Sequence, residues 1–324
     1  MSEQWQATAS NEALRQRAQT YRLIRQFFED RGVLEVETPM LSEAGNTDPN
    51  IESFNLQFSG ASSAGSSRRW LRTSPEFALK RLLASGIGDC YELGRVFRNG
   101  EFGHKHNPEF TMLEWYRIAW NHHQLMDECV ELVVALFQQQ NKVLRVQRYT
   151  YQALFLEILN VDPHHCTDSD LLQIVESNVN VAVNGLVRDD YLHLLMTHLI
   201  EPSFPSTQLT VVYDFPASQC ALAKVRLGDT PVAERFEIYL GANELANGYH
   251  ELTDSVEQLN RFNNDLALRL QRGAVLPDID TRLIQAMQHL PECAGVAMGI
   301  ERLLMALMQK NCIEDVMAFS FNRA

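Results

Sequence analysis

Arg98 leaves the apolar run YELGRVFRN just before a polar stretch with two glycines, and the chain returns as EFTMLEWYRIAW. The alternation on either side predicts two antiparallel strands joined by a loop. An arginine at such a strand end can grip phosphate oxygens with its fork and stays charged at any working pH. The competing reading pairs Arg95 and Arg98 with carboxylates of the same sheet, such as Glu92 or Glu114, because surface charge pairs are common and weak. A second arginine, Arg302, opens a helix after the glycine-rich run GVAMGIERLLMAL at 295 to 307. Glycines let a ligand approach the backbone closely, and a helix N-terminus favours anions.

The stretch VAERFEIYLGANELANGYHELTD carries Glu234, Glu237, Glu244 and Glu251. It reads as two strands joined at Leu240 to Ala242. Glu244 and Glu251 are seven residues apart, an odd spacing that points them to opposite faces of a regular strand. A bulge at Gly248 would bring both to one side. Two carboxylates on one side suit Mg²⁺, which takes oxygen ligands and keeps waters and nucleotide phosphates as partners. A solvated acidic rim is the other reading.

These groups need elements to hold them. From Asn11 to Asp30, Leu14, Ala18, Tyr21, Ile24, Phe27 and Phe28 recur at helical spacing, and Gly32 follows where a helix ends. VLEVETP is then a strand by its alternation and β-branched content, and Phe54, Leu56 and Phe58 alternate in another. In TSPEFALKRLLASG, Thr73 or Ser74 can cap a helix with Pro75 in its first turn. Residues 122 to 141 read as a helix, and 150 to 200 as short helices carrying no recognisable chemistry. LTVVYDFP is a buried strand, and 254 to 272 an amphipathic helix.

The composition, 45% hydrophobic and 21% charged over 324 residues, is that of an ordinary globular protein. A net charge of −13 argues against an extended nucleic-acid footprint, which rests on Lys and Arg neutralising phosphates. No apolar run reaches the roughly 18 residues of a membrane span, and the N-terminus lacks a signal-peptide pattern, so a cytoplasmic protein is expected. The six cysteines lack a C-x-x-C spacing and read as reduced thiols. His122-His123 and His164-His165-Cys166 are adjacent pairs that do not face one way on a helix, and no second ligand pair stands nearby in sequence, so they are not read as a zinc site.

The hairpin resembles motif 2 of the class II aminoacyl-tRNA synthetases, and HNPEFTMLEWY resembles the lysyl branch. GVLEVETPML at 32 to 41 is similar to motif 1, with its proline at Pro39, and GVAMGIERLLMAL is similar to motif 3. The resemblance implies an α+β fold, a mostly antiparallel sheet flanked by helices. It runs from about Leu14 to Ala324 and covers only the catalytic half of a lysyl-tRNA synthetase. Residues 11–324 are therefore expected to form one catalytic domain after a disordered 1–10, with no anticodon-binding barrel. Within the branch, the chain resembles the freestanding paralogues that attach (R)-β-lysine to a lysine of translation elongation factor P. Motif 1 implies a homodimer, and the missing barrel makes tRNA an unexpected partner.

Carried over by resemblance, Arg98 would hold the α-phosphate of ATP and Arg302 the γ-phosphate, with Asn107 reading adenine and Phe110 stacking on it. Asn99, Gly100, Leu245 and Gly299 would line the nucleotide site, and Glu244 and Glu251 would hold Mg²⁺, Glu251 also facing substrate. Ser74, Pro75, Glu76, Tyr116 and Ala297 would form the amino-acid pocket, with Glu76 and Tyr116 binding amino groups. Ser74 and Ala297 stand where lysyl-tRNA synthetases carry alanine and glycine. An extra methyl in such a pocket discriminates by about 1 to 3 kcal/mol. Gly100 replaces the family's glutamate after FRN, with Glu101 one residue later. The implied activity is adenylation of an amino acid followed by transfer to a protein lysine. The alternatives are a freestanding enzyme charging tRNA and a non-catalytic regulator.

Overall fold

The computed structural model describes residues 5–324. The chain forms two compact units, one running to Ala119 and resuming at Thr253, the other spanning Trp120–Leu252. In both, mostly antiparallel strands are flanked by helices, the α+β class expected from the sequence.

The first unit begins with the helix Asn11–Glu29, whose first turn is capped by the Ser10 hydroxyl accepting from Ala13 N–H at 3.1 Å. Its inner stripe buries Ile24, Phe27 and Phe28. Phe28 stacks on Tyr91 at 4.4 Å and meets Trp115 edge-on at 5.4 Å. Burying one such side chain contributes about 1.5–3 kcal/mol, so this contact fixes the helix against the sheet. The helix gives way to Gly32 at φ +68°, a left-handed turn that glycine adopts without a Cβ clash. Thr8 and Ala9, inside the stretch expected to be disordered, donate to Ala318 and Met317 carbonyls at 2.7 and 3.0 Å. That expectation falls in part on residues 1–4, outside the described residues.

The strand read in VLEVETP is only Leu34–Glu35, parallel to Cys90–Tyr91. Beyond it Val36 N–H still donates to the Tyr91 carbonyl at 2.8 Å, and Arg72 Nη1 donates to the Thr38 carbonyl at 3.1 Å and its hydroxyl at 2.8 Å. The hairpin strands Cys90–Phe97 and Glu109–Ile118 pair antiparallel as read, with Glu92 opposite Glu114 and Cys90 opposite Tyr116. Cys293–Gly299 pairs antiparallel on the other side of Glu109–Ile118, setting Ala297 opposite Glu114 and Gly299 opposite Met112. The helix Ile300–Met308 follows directly.

In the second unit the strands Asn243–His250, Val232–Leu240, Gln208–Pro216 and Arg145–Thr150 lie side by side in that order, the last pair parallel. The helices Tyr151–Leu159, Asp168–Asn178 and Arg188–Leu195 supply a core that includes Tyr151, Phe155, Leu171, Leu192 and Phe215. None of the described helices is long and apolar enough to cross a membrane. All six cysteines are free thiols.

Candidate active site

Side chains opposite one another in an antiparallel ladder share a face, so the register of the first unit assembles a floor. Glu92, Glu114 and Ala297 lie in one row, Cys90, Tyr116 and Gly295 in the next, and Gly94, Met112 and Gly299 on the other side. A Cβ added to Gly299 would meet nothing within 4 Å. The open space lies over Gly299, whereas at Gly94 a Cβ would meet Arg72 Nη2 at 2.5 Å and Glu92 Oε1 at 2.9 Å.

The carboxylates of Glu92 and Glu114 have different partners. Glu92 is neutralised within the fold by Arg72 Nη1 at 2.7 Å and accepts from the Thr38 hydroxyl at 2.6 Å. Glu114, 2% exposed, has no arginine of this kind; the cation that acts on it is Lys80, which pairs with Glu76. Glu114 accepts from the Ser74 hydroxyl at 2.6 Å and the Tyr116 hydroxyl at 2.9 Å. Burial, then the charge of Glu76, pushes its carboxyl up to about 8. Glu76 itself pairs with the buried Lys80 at 2.6 Å. Ser74 serves twice, because its oxygen also accepts the Glu76 N–H at 3.0 Å; the cap position of the helix Glu76–Ala84 is Pro75, so the expected Ser74 cap with Pro75 inside the first turn is shifted by one residue. The sequence reading used Glu114 only as an ion-pair partner. The signal available was an acid between Leu113 and Trp115 in an apolar strand.

The phosphate candidates stand around the hairpin loop. Arg98 Nη1 is 3.8 Å from Glu101, its guanidinium carbon is 5.2 Å from the Phe110 ring centre, and its buried Nε has no hydrogen-bond partner among the described residues. A buried guanidinium N–H left without an acceptor asks for one. Pairing with a carboxylate of the same sheet does occur for Arg95, though with Glu109 and not with Glu92 or Glu114. Arg95 lies 3.5 Å from Glu109 and 3.9 Å from Glu301. Arg302 sits in the first turn after Gly299, 2.7 Å from His106 Nε2, a loop residue the sequence reading did not single out. Its neighbour Glu301 works for the fold, bound to Arg17 at 2.6 Å and the Thr111 N–H at 2.8 Å.

Asn107 is 3% exposed, and its amide is committed to the backbone. It donates to the Glu109 carbonyl at 2.7 Å and accepts from Phe321 N–H at 3.0 Å. This side chain braces the loop. Asn99 N–H is held by the Glu52 carbonyl at 2.8 Å, and Gly100 follows at φ +83°.

The acidic pair belongs to the second unit. Ile238 faces Ala246 and Tyr239 faces Glu244, so Leu245 is the extra residue of a bulge, whereas Gly248 sits in regular register opposite Phe236. The bulge is three residues upstream of the expected Gly248, with the same effect. One inserted residue reverses the alternation, and Glu244, Asn247, Tyr249 and Glu251 then share a face with Arg235, Glu237 and Tyr239. On that face Glu237 is held by Arg235 and by the Tyr239 hydroxyl. Burial outweighs the attraction of Arg235, and Glu244 adds to it, leaving the Glu237 carboxyl above its ordinary value. Glu244 and Glu251 are carboxylate oxygen donors of the kind a hard divalent cation takes.

Over residues 4–323 the chain matches the family described as tRNA synthetases class II (D, K and N). It is 48% identical over 323 residues to the elongation factor P–(R)-beta-lysine ligase of Vibrio cholerae, covering 99% of this chain and 98% of that protein. Proteins of the same name from Mannheimia succiniciproducens and Pseudoalteromonas translucida are 44% and 45% identical, the matches covering 99% of this chain and 99% and 98% of theirs. The order of the three motifs, the buried acid pocket and these matches agree, and the chain belongs to the class II tRNA synthetase family of the D, K and N type.

Proposed function

We propose that the protein is an ATP-dependent ligase that activates (R)-β-lysine as an adenylate and transfers it to a lysine side chain of translation elongation factor P. The observation that carries this reading is Glu114, a buried acid held by the hydroxyls of Ser74 and Tyr116, with Ala297 opposite it in the sheet and Glu76 as a second acid nearby. Such a carboxylate is a receptor for an ammonium group, and Glu76 supplies a second acid close enough to raise its pKa. A diamino acid offers two ammonium groups.

In the first step the substrate carboxylate attacks the α-phosphorus of ATP, the bond to pyrophosphate breaks, and an acyl-adenylate forms. Arg98 answers the charge that builds on the α-phosphate, Phe110 stacks on adenine, and Arg302 holds the γ-phosphate. With the Asn107 amide committed to the loop, its main chain reads the base. Asn99, Gly100, Leu245 and Gly299 line the nucleotide. Glu244 and Glu251 would hold Mg²⁺, which when bound neutralises phosphate charge. In the second step an acceptor lysine amine attacks the adenylate carbonyl, a C–N bond forms, AMP leaves, and the amine loses a proton. The helix Asn11–Glu29 and the strand after it are the homodimer surface in this reading.

The test is amino-acid-dependent ATP–pyrophosphate exchange with (R)-β-lysine and α-lysine side by side, followed by addition of elongation factor P or tRNA. Exchange favouring β-lysine with label passing to the protein supports the assignment. Exchange with α-lysine and label on tRNA overturns it.

A further inference from the structure

His122, read from the sequence as lacking a second ligand pair, acquires one through the fold of the second unit. It opens the helix His122–Gln138, while Glu234 and His250 come from the strands Val232–Leu240 and Asn243–His250. One donor atom from each of the three lies within 4.8 Å of the others. His250 Nδ1 is 2.5 Å from Glu234 Oε2.

The surroundings are built as a ligand shell is built. His122 is 1% exposed, and its Nε2 lies 3.2 Å from Asp214 Oδ1. Its buried Nδ1 has no hydrogen-bond partner among the described residues. A metal-bound imidazole characteristically gives its other N–H to a carboxylate, which fixes the tautomer and leaves a lone pair for the ion. Arg226 then binds both acids from outside, Nη2 to Asp214 Oδ2 at 2.6 Å and Nη1 to Glu234 Oε1 at 3.0 Å, leaving Oε2 of Glu234 to face the imidazole of His250.

The backbone is shaped to this arrangement. Ala233 faces Phe215 and Phe236 faces Tyr213, so Glu234 and Arg235 together oppose the single residue Asp214. Asp214 has φ +58°, a left-handed conformation that aspartate tolerates at a cost. Bulges of this kind re-aim side chains. Here one brings the two acids of Arg226 together.

We propose that His122, Glu234 and His250 form a divalent transition-metal site, with Asp214 and Arg226 as the outer groups that orient it. The ion displaces the proton now shared by His250 and Glu234. Ligand atoms about a tetrahedral ion with bonds of ~2.0–2.1 Å stand roughly 3.3 Å apart, so that pair opens by under an ångström. Two imidazoles and one carboxylate select Zn²⁺ or Co²⁺ over Mg²⁺, which prefers all-oxygen sets. The ion would pin the start of a helix to two strands of the second unit.

The test uses tag-free full-length protein, stripped with chelator and titrated with Co²⁺ in the presence of excess Mg²⁺, which occupies oxygen-only sites. One equivalent of Co²⁺ with the intense visible absorption of a tetrahedral centre, displaced by Zn²⁺, is expected. Glu234→Gln and His122→Phe should each weaken binding at least tenfold, whereas His164→Ala should not change it. Absence of the tetrahedral absorption in the wild type, or equal Co²⁺ binding by folded Glu234→Gln and His122→Phe as judged by circular dichroism, overturns the site.

Discussion

The hydroxyl of Ser74 lies 2.6 Å from a carboxylate oxygen of Glu114, across 40 residues of chain. The Glu114 carboxyl, at about 8, holds its proton at neutral pH. A bound ammonium favours the ionised form, so binding must expel that proton, and affinity for the amino acid should rise about tenfold per pH unit between pH 6 and 8 and then level off. Calorimetry in buffers of different ionisation enthalpy should detect close to one proton released at pH 7. Glu114→Gln should lose both the release and the slope; an unchanged slope in that variant would exclude Glu114 as the amine receptor.

Arg98 makes no close ion pair, its nearest carboxylate oxygen being 3.8 Å away on Glu101. Removing it should therefore spare the fold and cost chemistry. Arg98→Ala is expected to lower pyrophosphate exchange by about 10²–10³-fold, the range for loss of one group that answers transition-state charge. Arg98→Lys should recover little, because an ammonium lacks the planar fork. A kcat within fivefold of wild type for Arg98→Ala would refute the phosphate role.

Arg302 and His106 are 2.7 Å apart, which makes the histidine a positioning residue for the γ-phosphate arginine. Arg302→Ala should abolish exchange with melting unchanged. His106→Ala should raise KM for ATP several-fold with a smaller effect on KM for the amino acid. Equal effects on both would indicate a general loop disturbance.

How much of this was legible depends on sequence distance. The hairpin around Arg98 was readable because its strands are adjacent and alternate, and the helix start at Pro75 because proline fixes its own φ. The bulge was misplaced because Gly248 is the residue that invites one, whereas the inserted residue is Leu245, set by pairing with Tyr239 and Ile238. Glu114 and His122 were undervalued for one reason. Their partners, Ser74 and Ala297 for one and Glu234 and His250 for the other, are brought to them only by tertiary pairing. Thr38 likewise reads as strand, and nothing near it in sequence names Arg72 as the donor to its carbonyl.

Gly100 occupies the left-handed region at φ +83° with no atom within 4 Å of a virtual Cβ. The restriction there is backbone conformation, not space. Gly100→Ala should lower stability by about 1–2 kcal/mol. Urea titration checks this, and a loss below ~0.3 kcal/mol would show that the loop relaxes freely.

Asp265 offers a stability test away from the site. It accepts from the Thr47 hydroxyl at 3.1 Å, and burial, which outweighs that bond, pushes its carboxyl from 3.8 up to about 6. The folded state therefore holds a proton that the unfolded chain releases near pH 4. Its stabilising contribution is present below pH 4 and is lost as pH rises through 6, so the ionised group burdens the fold at pH 7–8. Asp265→Asn keeps an acceptor for Thr47 and removes the charge. It should melt above wild type at pH 8, with the difference shrinking to nothing by pH 4. A difference that stays constant from pH 4 to 8 would mean that the substitution acts through packing and that Asp265 does not titrate in this window.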